Sequence, residues 1–197
     1  IRHTKIKNLD IVPCNYFMEL AELEIKADTD TPQHDRYRRA FEELKNTPPF
    51  GNYDYCIIDT PPTLGILTIN ALSASDKAII PMNADIYSAQ GLSQLWSLMD
   101  SVRTYCNPNL IAAGILINRF NARSVINRQI NDSIYDIAKT LKTHVFMSHI
   151  REAVAVKEVQ YMQGSLFRDY PSAKVTSDYW HFIDEFLGKA VVLNTIK

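Results

Sequence analysis

Short, unbroken apolar runs punctuate this chain, and they limit what it can fold into more than any other feature. "YDYCIID" (53–59), "KAIIPM" (77–82), "LIAAGILIN" (110–118) and "HVFMSHI" (144–150) show little of the in-out alternation of a half-exposed strand. "NLDIVPC" (8–14) reads as a further strand. Strands without alternation are buried on both faces, and the usual arrangement that does this is a parallel sheet covered by helices on each side. The intervening segments have the spacing for that cover. "YFMELAELEI" (16–25), "DRYRRAFEELK" (35–45), "GILTINALSAS" (65–75), "IYSAQGLSQLWSLMDSVRTYC" (86–106), "SVINRQINDSIYDIAKTL" (124–141) and "SAKVTSDYWHFIDEFLGKA" (172–190) read as helices. In 124–141, Ile126, Ile130, Ile134, Ile137 and Leu141 recur on one face. "NTPPFGN" (46–52) is a turn that a helix cannot cross. The predicted class is α/β, a mostly parallel twisted sheet with helices on both faces.

The 197 residues suit one domain, 1–197, with a sizeable core. A formal net charge of −1 gives no global attraction to nucleic acid or anionic lipid, so either would need a local patch. Cys14, Cys56 and Cys106 are odd in number and scattered, against a disulfide framework or zinc site and in keeping with a reducing cytoplasm. No apolar run reaches the roughly 20 residues of a membrane span. The chain opens without methionine and runs almost at once into "LDIVP", as if cut from something longer.

Ligands of open α/β sheets sit at the carboxyl ends of the strands, and Asp59 stands at such an end. An apolar strand closed by aspartate has the form of a Walker B motif, whose acid holds Mg²⁺ through water while the metal bridges nucleotide phosphates. The same residue also suits an Asx turn before Pro61. The five histidines show no metal-ligand spacing.

The wider segment "YDYCIIDTPPTLGILTINALSASDKAIIPMNADIYSAQGLSQL" resembles the ParA/Soj family of deviant Walker-type partition ATPases. Asp59, Pro62, Leu67, Asn70, Ala71, Leu72, Pro81, Gly91 and Leu92 match that family's motifs in order. "HIREAVAVKEVQYMQGSLFRDYPSAKVTSDY" resembles its C-terminal segment, so the likeness runs from about residue 8 to residue 187. The family's Lys-Gly-Gly-x-Gly-Lys-Thr phosphate loop has no counterpart here, so the resemblance implies a P-loop NTPase-like fold whose N-terminal strand and P-loop lie outside this sequence.

The resemblance implies more about the site. Asp59 is the catalytic and Mg²⁺-linked acid, and Thr60, Pro61 and Pro62 belong to a γ-phosphate-sensing switch. Asn118 reads the adenine edge, with Arg119 beside it, and Arg151 lies in a loop that closes over the base. Arg123, Arg128, Lys139 and Lys142 are the basic side chains available for DNA phosphates. The implied cofactors are ATP and Mg²⁺. The implied partners are non-specific DNA, a ParB-like centromere-binding protein and a second subunit in an ATP-dependent nucleotide-sandwich dimer. The setting is cytoplasmic and nucleoid-associated, without a membrane anchor. A non-hydrolysing scaffold acting only through protein contacts is the alternative reading.

Overall fold

The computed structural model describes residues 1–15, 17–83, 86–121 and 125–188, with backbone alone for 86–90 and 125–132. The chain divides into two compact units, Ile1–Ser75 with Ser101–Pro108, and Asp76–Asp100 with Asn109–Lys197.

The first unit opens with two short strands, β1 (Arg2–His3) and β2 (Asp10–Ile11), paired antiparallel. Asp10 locks this hairpin by accepting from Tyr53 and pairing with His3 Nδ1 at 2.9 Å. The predicted parallel strand over 8–14 therefore shrinks to one arm of a hairpin. Three helices follow: α1 (Met18–Ala27), α2 (Arg36–Leu44) and α3 (Ile66–Ala74). Both α1 and α2 pack on α3, whose Leu67, Ala71 and Leu72 are buried. The pivot is Asn70, fully buried on α3. Its amide donates to the Gln33 carbonyl at 2.7 Å and to Ile66 at 2.9 Å, and its oxygen accepts the Tyr37 N–H at 3.3 Å.

The expected strand over 53–59 joins no ladder among the described residues. Tyr55 is exposed and Ile57 is 93% exposed. Its composition is that of a buried strand, but a strand is defined by a neighbour's hydrogen bonds, and none of the described segments supplies them.

The second unit carries the parallel pair that the apolar runs demanded. β3 (Lys77–Asn83) and β4 (Ile111–Asn118) run in register from Lys77 opposite Ile111 to Asn83 opposite Asn118. α4 (Ile86–Tyr105) makes the crossover, as a parallel connection requires. Its last turn lies in the first unit, where the Cys106 carbonyl accepts from Arg38 at 2.6 Å and Asn107 donates to Ser75 at 2.8 Å. The register slips once, between Ala78 and Ile79, because β4 carries an extra residue there, Ala113, just before Gly114. Gly114 has φ +135°, which side-chain-bearing residues rarely adopt. A Cβ there would also lie 2.8 Å from both His144 and Phe146.

Residues 144–150 follow the other side of β4 without forming a full strand. Ile115 donates to the His144 carbonyl, Phe146 to Ile115 and Ile150 to Ile117, each at 2.9 Å. The expected third parallel strand is thus an interrupted one, reduced to a single bridge between Ile115 and Val145. Four helices complete the unit: α5 (Val125–Thr140), α6 (Val154–Tyr161), α7 (Leu166–Asp169) and α8 (Lys174–Phe186). α6 and α7 were not foreseen from sequence. Leu116, Phe146, Ile150 and Val175 form a buried cluster, with Leu166 and Phe182 packed against it.

Candidate functional site

Asp59, Thr60, Pro61 and Pro62 are all exposed on the loop that leads into α3. The loop is anchored where the helix begins: the Thr68 hydroxyl donates to the Thr63 carbonyl at 2.7 Å. Gly65 sits at the helix N-cap, where an added Cβ would stand 3.1 Å from Glu22 Oε1. No described residue hydrogen-bonds the Asp59 carboxylate, so its oxygens are open to water or a hydrated cation. A carboxylate that acts on Mg²⁺ through water needs this openness, because Mg²⁺ keeps several of its waters. No described group of three or more His, Cys, Asp or Glu side chains could hold a metal by itself.

In the second unit, a separate group of candidate residues lies at the carboxyl end of β4. Asn118 Oδ1 accepts the Arg119 N–H at 2.9 Å, which leaves the Asn118 amide donors for other partners. Arg119 turns the chain with φ +51°, and its guanidinium meets Glu152 at 3.3 Å. Lys157 approaches the same Glu152 oxygen at 3.8 Å. Phe120 bridges to Arg151, donating to the Ile150 carbonyl at 2.9 Å and accepting from the Glu152 N–H at 3.3 Å. The bridge brings Arg151 beside the Asn118–Arg119 turn, so these three predicted residues share one sheet edge.

Arg151 is held from behind. Its Nε and Nη2 fork onto the carboxylate of Asp178 at 2.6 and 2.7 Å, and its backbone N–H donates to the same carboxylate at 3.1 Å. This pairing keeps the guanidinium charged even further above its ordinary range. Seven residues on, Glu185 accepts the N–H groups of Met147 and Ser148 at 2.7 and 2.9 Å. Seven residues are two helical turns, so one face of α8 presents both acids to segment 147–151. Sequence reading missed them. Their spacing was visible, but acids on a terminal helix ordinarily face solvent.

His149 lies between these anchors. Its ring packs edge-on against Phe120 at 4.9 Å, and its buried Nε2 has no hydrogen-bond partner. Burial lowers its pKa, against the opposing pull of Glu185 and Asp178.

Of the candidate DNA side chains, only Lys139 and Lys142 have their surroundings described. Arg123 lies outside the described residues, and Arg128 is placed by backbone alone on α5. Lys139 is exposed, 3.7 Å from Asp136. Lys142 falls beyond the end of α5 with φ +54°, so helical periodicity does not carry to it.

The AAA domain family model matches residues 1–112, more than half of the chain, including the Asp59 loop. The chain is 36% identical over 158 residues to the sporulation initiation inhibitor protein Soj of Bacillus subtilis, covering 80% of this chain and 58% of Soj. It belongs to the ParA/MinD group of partition ATPases. A second ParA relative, the chromosome partitioning protein ParA of Myxococcus xanthus, is 37% identical over 131 residues, 66% of this chain and 44% of that protein. This ParA-family chain therefore spans roughly half of these relatives' length. The fold agrees: cobyrinic acid a,c-diamide synthase of Mycobacterium smegmatis, solved with bound ADP and magnesium, superposes with a TM-score of 0.69 at 24% identity. That match covers 89% of this chain and 60% of the synthase. The ParA-type architecture is thus a P-loop NTPase α/β fold, and among the described residues no helix is long and apolar enough to cross a membrane.

Proposed function

We propose that this chain supplies the switch, base-binding and effector parts of a ParA-type ATPase that partitions a plasmid or chromosome. It hydrolyses ATP with Mg²⁺, and its phosphate-cradling loop is contributed from outside residues 1–197. The observation that carries this reading is Asp59. It is an exposed acid, unpartnered among the described residues, on an anchored loop entering α3 within a segment matching ParA proteins. Mg²⁺ bound there would offset charge on the transferring phosphate. Asp59 would orient the ion's water shell, and Thr60, Pro61 and Pro62 would follow the departure of the γ-phosphate as a stiff switch. Asn118 would read the adenine edge with its free amide donors, and Arg151 would face acceptor atoms of the nucleotide. The ATP-bound dimer would bind DNA non-specifically and answer to a ParB-like partner.

Asp59→Ala in the full-length protein tests this. Mg²⁺-dependent ATP turnover should disappear while the melting temperature stays within a degree or two of wild type, since an exposed loop residue contributes about 0.5 kcal/mol at most. Turnover at the parental rate would remove Asp59 from the mechanism. A full-length protein without turnover, but with intact partner binding, would favour the scaffold reading, which the lack of a Lys-Gly-Gly-x-Gly-Lys-Thr stretch in these 197 residues keeps in view.

A further inference from the structure

We propose that Asp178 is a positioning residue: from α8 it aims Arg151 so that one edge of the guanidinium stays available to acceptor oxygens or nitrogens of a bound nucleotide. This rests on the nucleotide reading above.

An arginine at a sheet edge has many rotamers, and holding one costs entropy that a ligand must otherwise supply. Here that cost is met before any ligand arrives. The Asp178 carboxylate takes Nε, Nη2 and the Arg151 backbone N–H, so side chain and main chain are fixed by one group. The acid is almost wholly buried, its side chain 9% exposed, while that of Arg151 is 45% exposed. Nη1 has no partner among the described residues, and the fork occupies only the opposite edge. The nearest other acid in sequence, Glu152, is already engaged by Arg119 and Lys157. The bridge from Phe120 to Arg151 sets the Arg151 backbone at the carboxyl end of β4, opposite a residue two positions past Asn118. A planar guanidinium gripped on one edge can still form charge-assisted hydrogen bonds with the other.

The test uses the full-length protein, with equilibrium binding of Mg·ATP and a thermal midpoint for each variant. Asp178→Asn keeps the shape and one acceptor but loses the charged fork. It should bind ATP about tenfold more weakly. Asp178→Glu keeps a carboxylate at the expense of fit, and should recover most of the affinity even where its midpoint is the lower of the two. A residue that merely latched α8 would rank the two the other way, since the isosteric amide packs better. Arg151→Ala with Asp178→Asn should bind no more weakly than Arg151→Ala alone, because Asp178 acts through Arg151. Additive reductions in affinity, or wild-type affinity in Asp178→Asn, would overturn the proposal. Wild-type affinity in Arg151→Ala would remove Arg151 from the nucleotide site, and Asp178 with it. No ATP binding by the wild type would sink the nucleotide reading itself.

Discussion

Buried Asn70 shows how one side chain can stand in for a ladder of backbone hydrogen bonds. It satisfies the Gln33 carbonyl and the Tyr37 N–H, groups that no helix or strand ladder would otherwise serve. Asn70→Leu keeps the branched shape, with somewhat more bulk, and orphans both, so it should cost about 2–4 kcal/mol, read by urea denaturation. An unchanged midpoint would mean that water replaces the amide. Gly114 is the second sensitive position. Its φ of +135° and the close approach of His144 and Phe146 leave no room for a methyl group. Gly114→Ala should destabilise by about 2–4 kcal/mol, from backbone strain together with displacement of the two rings. Motif matching singled out Asn70 and passed over Gly114. A lone glycine in an apolar run does not reveal whether a bulge sits beside it.

At the scale of elements, α8 matters more than its terminal position suggests. Its two acids hold segment 147–151 along β4, and that segment carries both His149 and Arg151. Glu185→Ala would leave the Met147 and Ser148 N–H groups without their acceptor. Protection of both amides from hydrogen exchange should fall, with global stability down by about 1–3 kcal/mol. His149 adds a pH dependence. Its folded pKa lies below the ordinary value, so the unfolded chain binds the proton more readily. Stability from this group is complete above about pH 6.5 and is lost as pH falls through that value toward the lower folded pKa. A wild-type stability curve should therefore decline on acidification from pH 7 to pH 5, and His149→Gln should flatten that decline. Equal slopes would show that His149 takes up a proton without cost. On α5 the short end of the helix alters the DNA expectation. Lys139 and Lys142 do not share a helical face, so any phosphates they bind are bound independently. Removing one such lysine should flatten the dependence of log affinity on log salt by about 0.9. A salt titration of Lys139→Ala, Lys142→Ala and the pair in the ATP-bound full-length protein should show additive changes. Unchanged slopes would move the DNA surface elsewhere.

Across the whole molecule, apolar surface is the outstanding property. Ile57 is 93% exposed and Tyr55 68%, with Val12 and Leu23 also open in the same unit. Unpaired strand-like segments with apolar side chains invite association. Residues 1–197 expressed alone should self-associate in a concentration-dependent way by light scattering, and Ile57→Lys should reduce it. A monodisperse wild-type chain would contradict this. The same chain alone should bind Mg·ATP weakly or not at all, because none of its segments has the glycine-rich form of a phosphate cradle. Micromolar affinity would reveal a different nucleotide site. The α/β class, the parallel pair at 77–82 and 110–118 and the helix between them were legible in the residues themselves. Each follows from local periodicity in contiguous sequence. Tertiary structure alone decided that 53–59 finds no partner strand among the described residues, that 144–150 pairs only in part, and that Arg151 answers to Asp178. Strand pairing and ion pairing depend on which distant segment comes within hydrogen-bonding distance, and that is not written in the spacing of neighbouring residues.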